Sequence, residues 1–115
     1  MSDRELLEMA AKAAGLFEHK WSDAWKCLGR WTHAKDGWYF EGPAWNPLTD
    51  DGDALRLAVK LGIEFQLRCG ATWVEWYVAN NNVYLHYEPH GSNPYAATRR
   101  AIVRAAAELG RAMSD

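Results

Sequence analysis

The sequence predicts an α+β domain in which an antiparallel sheet of about three to five strands carries helices packed mainly on one face. Three observations predict it. Apolar residues recur at helical spacing in three stretches, each with a residue that suits a helix cap. Between Ile63 and Glu88 they alternate with polar residues at a spacing of two, as half-buried strands require. An aromatic run on either side of Asp36-Gly37 adds a hairpin signal. The order helix, hairpin, helix, three strands, helix keeps helices and strands apart rather than alternating them singly, as an α+β layering requires.

The first helix is expected over Asp3 to Ala14. Ser2 and Glu5 form an S-x-x-E capping box, Leu6, Ala10, Ala13 and Phe17 make one apolar stripe, and Gly15 is a stop. Trp21, Trp25 and Leu28 then have helical spacing, so Ser22 to Cys27 reads as a short turn, or Lys26 to Thr32 as a first strand. Residues 29–33 and 38–42 read as a hairpin, and Gly42-Pro43 breaks it. Asp50 or Asp51 caps a second helix carried by Ala54, Leu55, Ala58, Val59 and Leu61, with Gly62 at its end.

Ile63, Phe65 and Leu67 then alternate with Glu64, Gln66 and Arg68, and Gly70 ends that strand. Residues 72–79 and 82–88 make a second hairpin through Asn80-Asn81. A two-residue loop pairs Val78 with Val83, Trp76 with Leu85 and Val74 with Tyr87 on one face. On the other face it pairs Tyr77 with Tyr84, Glu75 with His86 and Trp73 with Glu88. Pro94 at a first helical position opens the last helix, from Tyr95 to about Met113, with an apolar face of Ala97, Ala101, Ile102, Ala105 and Leu109.

At 115 residues, one domain is the expectation, made of an N-terminal helix (1–17), a Trp-rich hairpin segment (18–46) and the remainder (47–115). Apolar residues are 49% and charged residues 24%, as in ordinary globular proteins. A net charge of −2 gives no general attraction to nucleic acid. No stretch has the length of a membrane span or a signal sequence, so a cytoplasmic protein is expected. Cys27 and Cys69 read as reduced, structural thiols.

Trp45-Asn46-Pro47, Asp53-Ala54 opening a short helix that ends near Ile63, and Asn93-Pro94-Tyr95-Ala96-Ala97 leading into Ala101-Ile102-Val103 resemble small proteins of tailed bacteriophages and prophages, the NinX-like family. The likeness covers the chain from Trp45 on. The resemblance implies a phage accessory gene acting in the cytosol of an infected bacterium, with no family catalytic residues to carry over. The Trp-rich segment from Phe17 to Phe40 lies outside it.

Seven residues are tryptophan, and five of them fall between Trp21 and Trp45. Tryptophan is enriched where aromatic surface meets a partner. Trp31, Trp38, Tyr39, Trp73 and Tyr77 are the expected anchors. The outer face of the sheet, Trp73, Glu75, Tyr77, Tyr84 and His86, would stack a flat ligand or seat a partner, unless the N-terminal hairpin covers it as a second core layer. Arg99, Arg100, Arg104 and Arg111 cluster on the last helix. Arg100 and Arg104 suit phosphates, while Glu108 suits local ion pairs with Arg104 and Arg111.

The expected function is a non-catalytic, counter-defence binding protein whose partner is a host protein. One alternative is a sponge for a nucleotide-derived immune signal, a small molecule with its phosphates on Arg100 and Arg104. Another is a small hydrolase using Glu75 and His86. No cofactor is expected. No metal is expected either, since His86-x-x-x-His90 spans a strand end and Pro89, and Asp50-Asp51-Gly52-Asp53 reads as a helix cap. A ligand shared between subunits would require a homo-oligomer, for which the Ala-rich last helix offers a close-packing face.

Overall fold

The computed structural model describes residues 1–78 and 82–113. In chain order the elements are α1 (Asp3–Ala13), β1 (His19–Ser22), β2 (Cys27–Ala34), β3 (Gly37–Phe40), α2 (Asp51–Leu61), β4 (Glu64–Arg68), β5 (Ala71–Val78), β6 (Asn82–Pro89) and α3 (Pro94–Ala112). The fold is α+β, and its strands divide into two antiparallel three-stranded sheets, β1-β2-β3 and β4-β5-β6.

Helix ends follow local rules. The Ser2 hydroxyl accepts from the Glu5 amide while the Glu5 carboxylate accepts from the Ser2 amide, closing the capping box. Asp50 accepts from the Asp53 amide at the start of α2, and Gly62 ends that helix at φ 68°, where a side chain would be strained. Asn93 caps α3 by accepting from the Ala96 amide, with Pro94 next to it.

Helix α3 is the centre of the molecule. It lies on β5 and β6, and both α1 and α2 pack against it. Its buried residues run almost around the helix: Ala97, Ala101, Ile102, Val103, Ala105, Ala106, Ala107 and Gly110. A Cβ at Gly110 would overlap the backbone of Met9, so α1 and α3 meet backbone to backbone. The small residues expected to serve a second subunit are therefore used within the chain. The α1 face is Leu6, Leu7, Ala10, Ala11 and Ala14, and Phe17, assigned to the stripe, is exposed because the helix has ended. In α2, Leu57 is buried whereas Leu55 and Val59 face outward.

Between β5 and β6, Val78 pairs with Asn82, Trp76 with Tyr84, Glu75 with Leu85, Val74 with His86 and Trp73 with Tyr87. The expected register is off by one. Three residues, 79–81, separate that first pair rather than two, and they lie outside the described residues together with the expected Asn80-Asn81 turn. Because side chains alternate, this slip reverses every β6 side chain. Tyr84, His86 and Glu88 share the helix side of the sheet with Thr72, Val74 and Trp76, and Leu85 and Tyr87 turn outward.

A directional chain of hydrogen bonds ties the sheet to α3. Thr98 Oγ1 donates to the Pro94 carbonyl (2.8 Å), so it accepts from Thr72 Oγ1 (2.7 Å), which in turn accepts from His90 Nε2–H (2.8 Å). That accounts for His90 without a ligand. Arg99 joins the loop before α2 to α3 by donating to the Leu48 carbonyl (2.8 Å) and pairing with Asp51 (2.7 Å).

The N-terminal sheet hangs on this unit by few ties. Leu28 and Trp45 exchange two backbone hydrogen bonds (2.7 and 3.2 Å), and Leu28 and Trp21 reach the core from one face of the sheet. The β2–β3 hairpin turns at Lys35-Asp36 with Gly37 at φ 143°, as expected. Residues 23–26 form the turn that the tryptophan spacing suggested, closed by the Lys26 amide donating to the Ser22 carbonyl (2.8 Å), and the unexpected element is the strand β1 that precedes it.

Candidate functional site

Three surfaces gather the chemistry. The first is the open face of the N-terminal sheet. Strand alternation places Gly29, Trp31 and His33 of β2 on one side with Trp38 and Phe40 of β3. A Cβ at Gly29 would overlap the Phe40 ring, so glycine lets Phe40 lie flat across β2. Trp25 stacks on Phe40 (6.5 Å between centroids), Trp31 meets it edge-on (5.4 Å), and His33 meets Trp38 edge-on (4.9 Å). Lys20 Nζ sits 5.9 Å from the Trp38 ring, within reach of a cation–π contact. Trp25 is 69% exposed and Trp38 63%.

Trp31 and Trp38 thus share the expected surface, with Trp31 half-buried and its indole donating to the Lys20 carbonyl (3.2 Å). Tyr39 does not share it. It pairs with Thr32 on the opposite face, and a hydrogen bond to Asp36 raises its phenol above the ordinary value. Trp25 and Phe40 were missed as site residues. Their joint position depends on Gly29, which has no sequence signal of its own.

The second surface is the outer face of β4-β5-β6. Trp73 and Tyr77 are exposed there as expected, with Glu75 between them. Trp73 stacks on Tyr87 (5.0 Å), and the Arg68 guanidinium lies 5.9 Å from its ring. Leu85, at 68% exposed, and Val83 complete it. Neither the N-terminal hairpin nor its tryptophans cover this face, because that sheet packs on α1 instead. Tyr84 and His86, assigned to this face, belong to the other one. Glu75 and His86 therefore lie on opposite faces of the sheet, which removes the expected dyad.

The third surface is a groove of about 420 Å³ between the helix side of edge strand β6 and α3, lined by Leu6, Trp76, Tyr84, His86, Arg104 and Arg111 among others. It exists because α3 covers β5 fully but β6 only in part. Trp76 is 3% exposed, Tyr84 stacks on it (5.7 Å), and its indole Nε1–H is buried without a hydrogen-bond partner. Such an orphan costs about 1–3 kcal/mol. His86 Nε2 (3.1 Å) and Arg104 Nε (3.2 Å) meet on one oxygen of Glu88, and Arg111 pairs with Glu108 (3.2 Å). The expected Arg104–Glu108 pairing gives way to Glu88, which the slipped register brings to this side. Arg100 is held by Asp3 (3.1 Å), away from Arg104's partner, so the two do not form one phosphate clamp.

The remaining candidates have local roles. Burial pushes the Cys27 thiol up; the Trp45 amide pulls it down, and the Asp53 charge raises it. Cys69 is exposed, and both cysteines are free thiols. Asp50 and Asp53 are used in the cap and by Arg56 and the Asn46 amide. Among the described residues no three His, Cys, Asp or Glu side chains gather as a metal site, and no helix is long and apolar enough to cross a membrane. No protein-family model, curated protein or solved structure matches the chain.

Proposed function

We propose that this is a small phage-encoded accessory protein that acts in the cytoplasm of the infected bacterium by docking, without catalysis, on a host protein of the defence machinery. The phage origin rests on the NinX-like resemblance from Trp45 on. The docking mode rests on one observation: the aromatic face of the N-terminal sheet is left open although its reverse face is already packed on α1. A sheet needs only one apolar face to fold. A second one rich in tryptophan, with Lys20 beside it, has the makeup of an interface core, where Trp, Tyr and Arg supply most of the binding energy.

Recovery of the tagged protein from infected host cells tests the reading. One host protein should co-purify in stoichiometric yield. The Trp25→Ala/Trp38→Ala variant should weaken that complex about 30-fold or more, the equivalent of about 2 kcal/mol at a central anchor, while melting normally. Equal retention by the folded variant would sink the assignment.

A further inference from the structure

The groove between β6 and α3 is distinct from the docking face. We propose that it is a binding site for a nucleoside monophosphate or a closely similar ligand, a flat heteroaromatic ring bearing a phosphate. Three independent features carry the assignment. The Trp76 indole, 3% exposed, lines the groove, and its Nε1–H is buried without a partner, so a ligand acceptor that reached it by displacing its cover would satisfy a donor that water does not reach. Ring nitrogens and carbonyls of a nucleobase are such acceptors. Tyr84 lies parallel to Trp76 and is itself about half exposed, so its outer face offers a platform on which a base can stack.

Arg104 and Arg111 stand two helical turns apart on α3 and both line the groove, Arg111 paired with Glu108 and Arg104 with Glu88. Glu88 takes the Nε of Arg104, and a guanidinium has five N–H donors, so this pairing orients Arg104 rather than exhausting it. His86, held on the same Glu88 oxygen, closes the side of the groove. The volume of about 420 Å³ falls in the range of small-molecule sites, about 300–1,000 Å³. Arg100, tied to Asp3, takes no part.

The four ribonucleoside 5′-monophosphates, the matching nucleosides and inorganic phosphate are the probes. Calorimetry gives the affinities, and the assigned indole N–H resonances in a ¹H–¹⁵N spectrum locate the ligand among the seven tryptophans. At least one monophosphate should shift the Trp76 indole resonance and bind ten-fold or more tighter than its nucleoside or phosphate alone. Arg111→Gln, a change at an exposed side chain, should weaken it five-fold or more. The proposal fails if no monophosphate at millimolar concentration moves the Trp76 resonance. Phosphate binding as tightly as the nucleotide would mean an unspecific anion site and also overturns it, as would undiminished binding by Arg111→Gln. None of these outcomes bears on the host-protein complex, which is read separately through Trp25 and Trp38.

Discussion

The two sheets of this molecule have three antiparallel strands each, yet they solve the problem of aromatic residues in opposite ways. In β4-β5-β6, α3 lies over the central strand, so Thr72, Val74 and Trp76 are buried and the one aromatic of β5 on that side, Trp76, becomes core, while Trp73 and Tyr77 on the other side stay exposed. In β1-β2-β3 only the face carrying Trp21 and Leu28 meets a helix. Trp25 and Trp31 find a partner in Phe40, and Trp38 in His33 and Lys20, and all stay on the open side of the sheet. The fate of a tryptophan here is decided by whether a helix arrives on its side of the sheet, and hardly at all by the strand that carries it.

The comparison can be broken hardest at its helical end. Gly110→Ala puts a methyl group into the Met9 backbone where α1 and α3 touch. The alanine's better helix propensity, up to about 1 kcal/mol, offsets only part of the overlap. A net loss of about 2 kcal/mol is expected, visible as a melting midpoint lower by roughly 8 °C and felt by the whole fold. An unchanged midpoint would mean that α1 and α3 can part without cost.

Gly29→Ala should separate the two regions. The added methyl group displaces Phe40 and with it Trp25 and Trp31, at about 1–2 kcal/mol. Amide hydrogen exchange should accelerate in β2 and β3 while β5 and α3 keep their protection. Uniform acceleration would show one cooperative unit and no contrast between the sheets.

The smallest effect is expected at His19. Desolvation lowers its imidazole from the ordinary value of 6.5, with Arg30 adding to this and Glu18 opposing it, and its Nδ1 is buried without a partner. Below about pH 6.5 the unfolded chain takes up a proton that folded His19 resists, so stability falls as the solution is acidified through that range. Urea midpoints at pH 7.5 and 5 should therefore lie closer together in His19→Gln than in the native chain. An identical acid loss would place the titration elsewhere.

What could be read in the sequence follows the same division. Helix ends were legible because a cap is a contract among three or four neighbours, as at Ser2 and Glu5, Asp50 and Asp53, or Asn93 and Ala96. The Asp36-Gly37 turn and the exposure of Trp38, Trp73 and Tyr77 were legible for similar reasons. The β5–β6 register was not, since one residue more or less in the connection leaves each strand's alternation intact while reversing the partner strand. That reversal moved Tyr84 and His86 from the outer face to the groove. Nor was the groove itself visible, because it arises from how far α3 overhangs β6, a property of packing between segments distant in sequence. The orphan indole of Trp76 could not be suspected before its surroundings were known.

The backbone contact between α1 and α3 also governs when the fold can form. Asp3 pairs with an arginine 97 positions later, and Met9 presses against Gly110. During synthesis α1 precedes α3 by some eighty residues and has only the reverse face of β1 and β2 to pack on until α3 follows, while β1 to β3 can already pair among themselves. The core between α1 and α3 therefore stays open until α3 has been made. Its folding rate should bear the mark of that long closure.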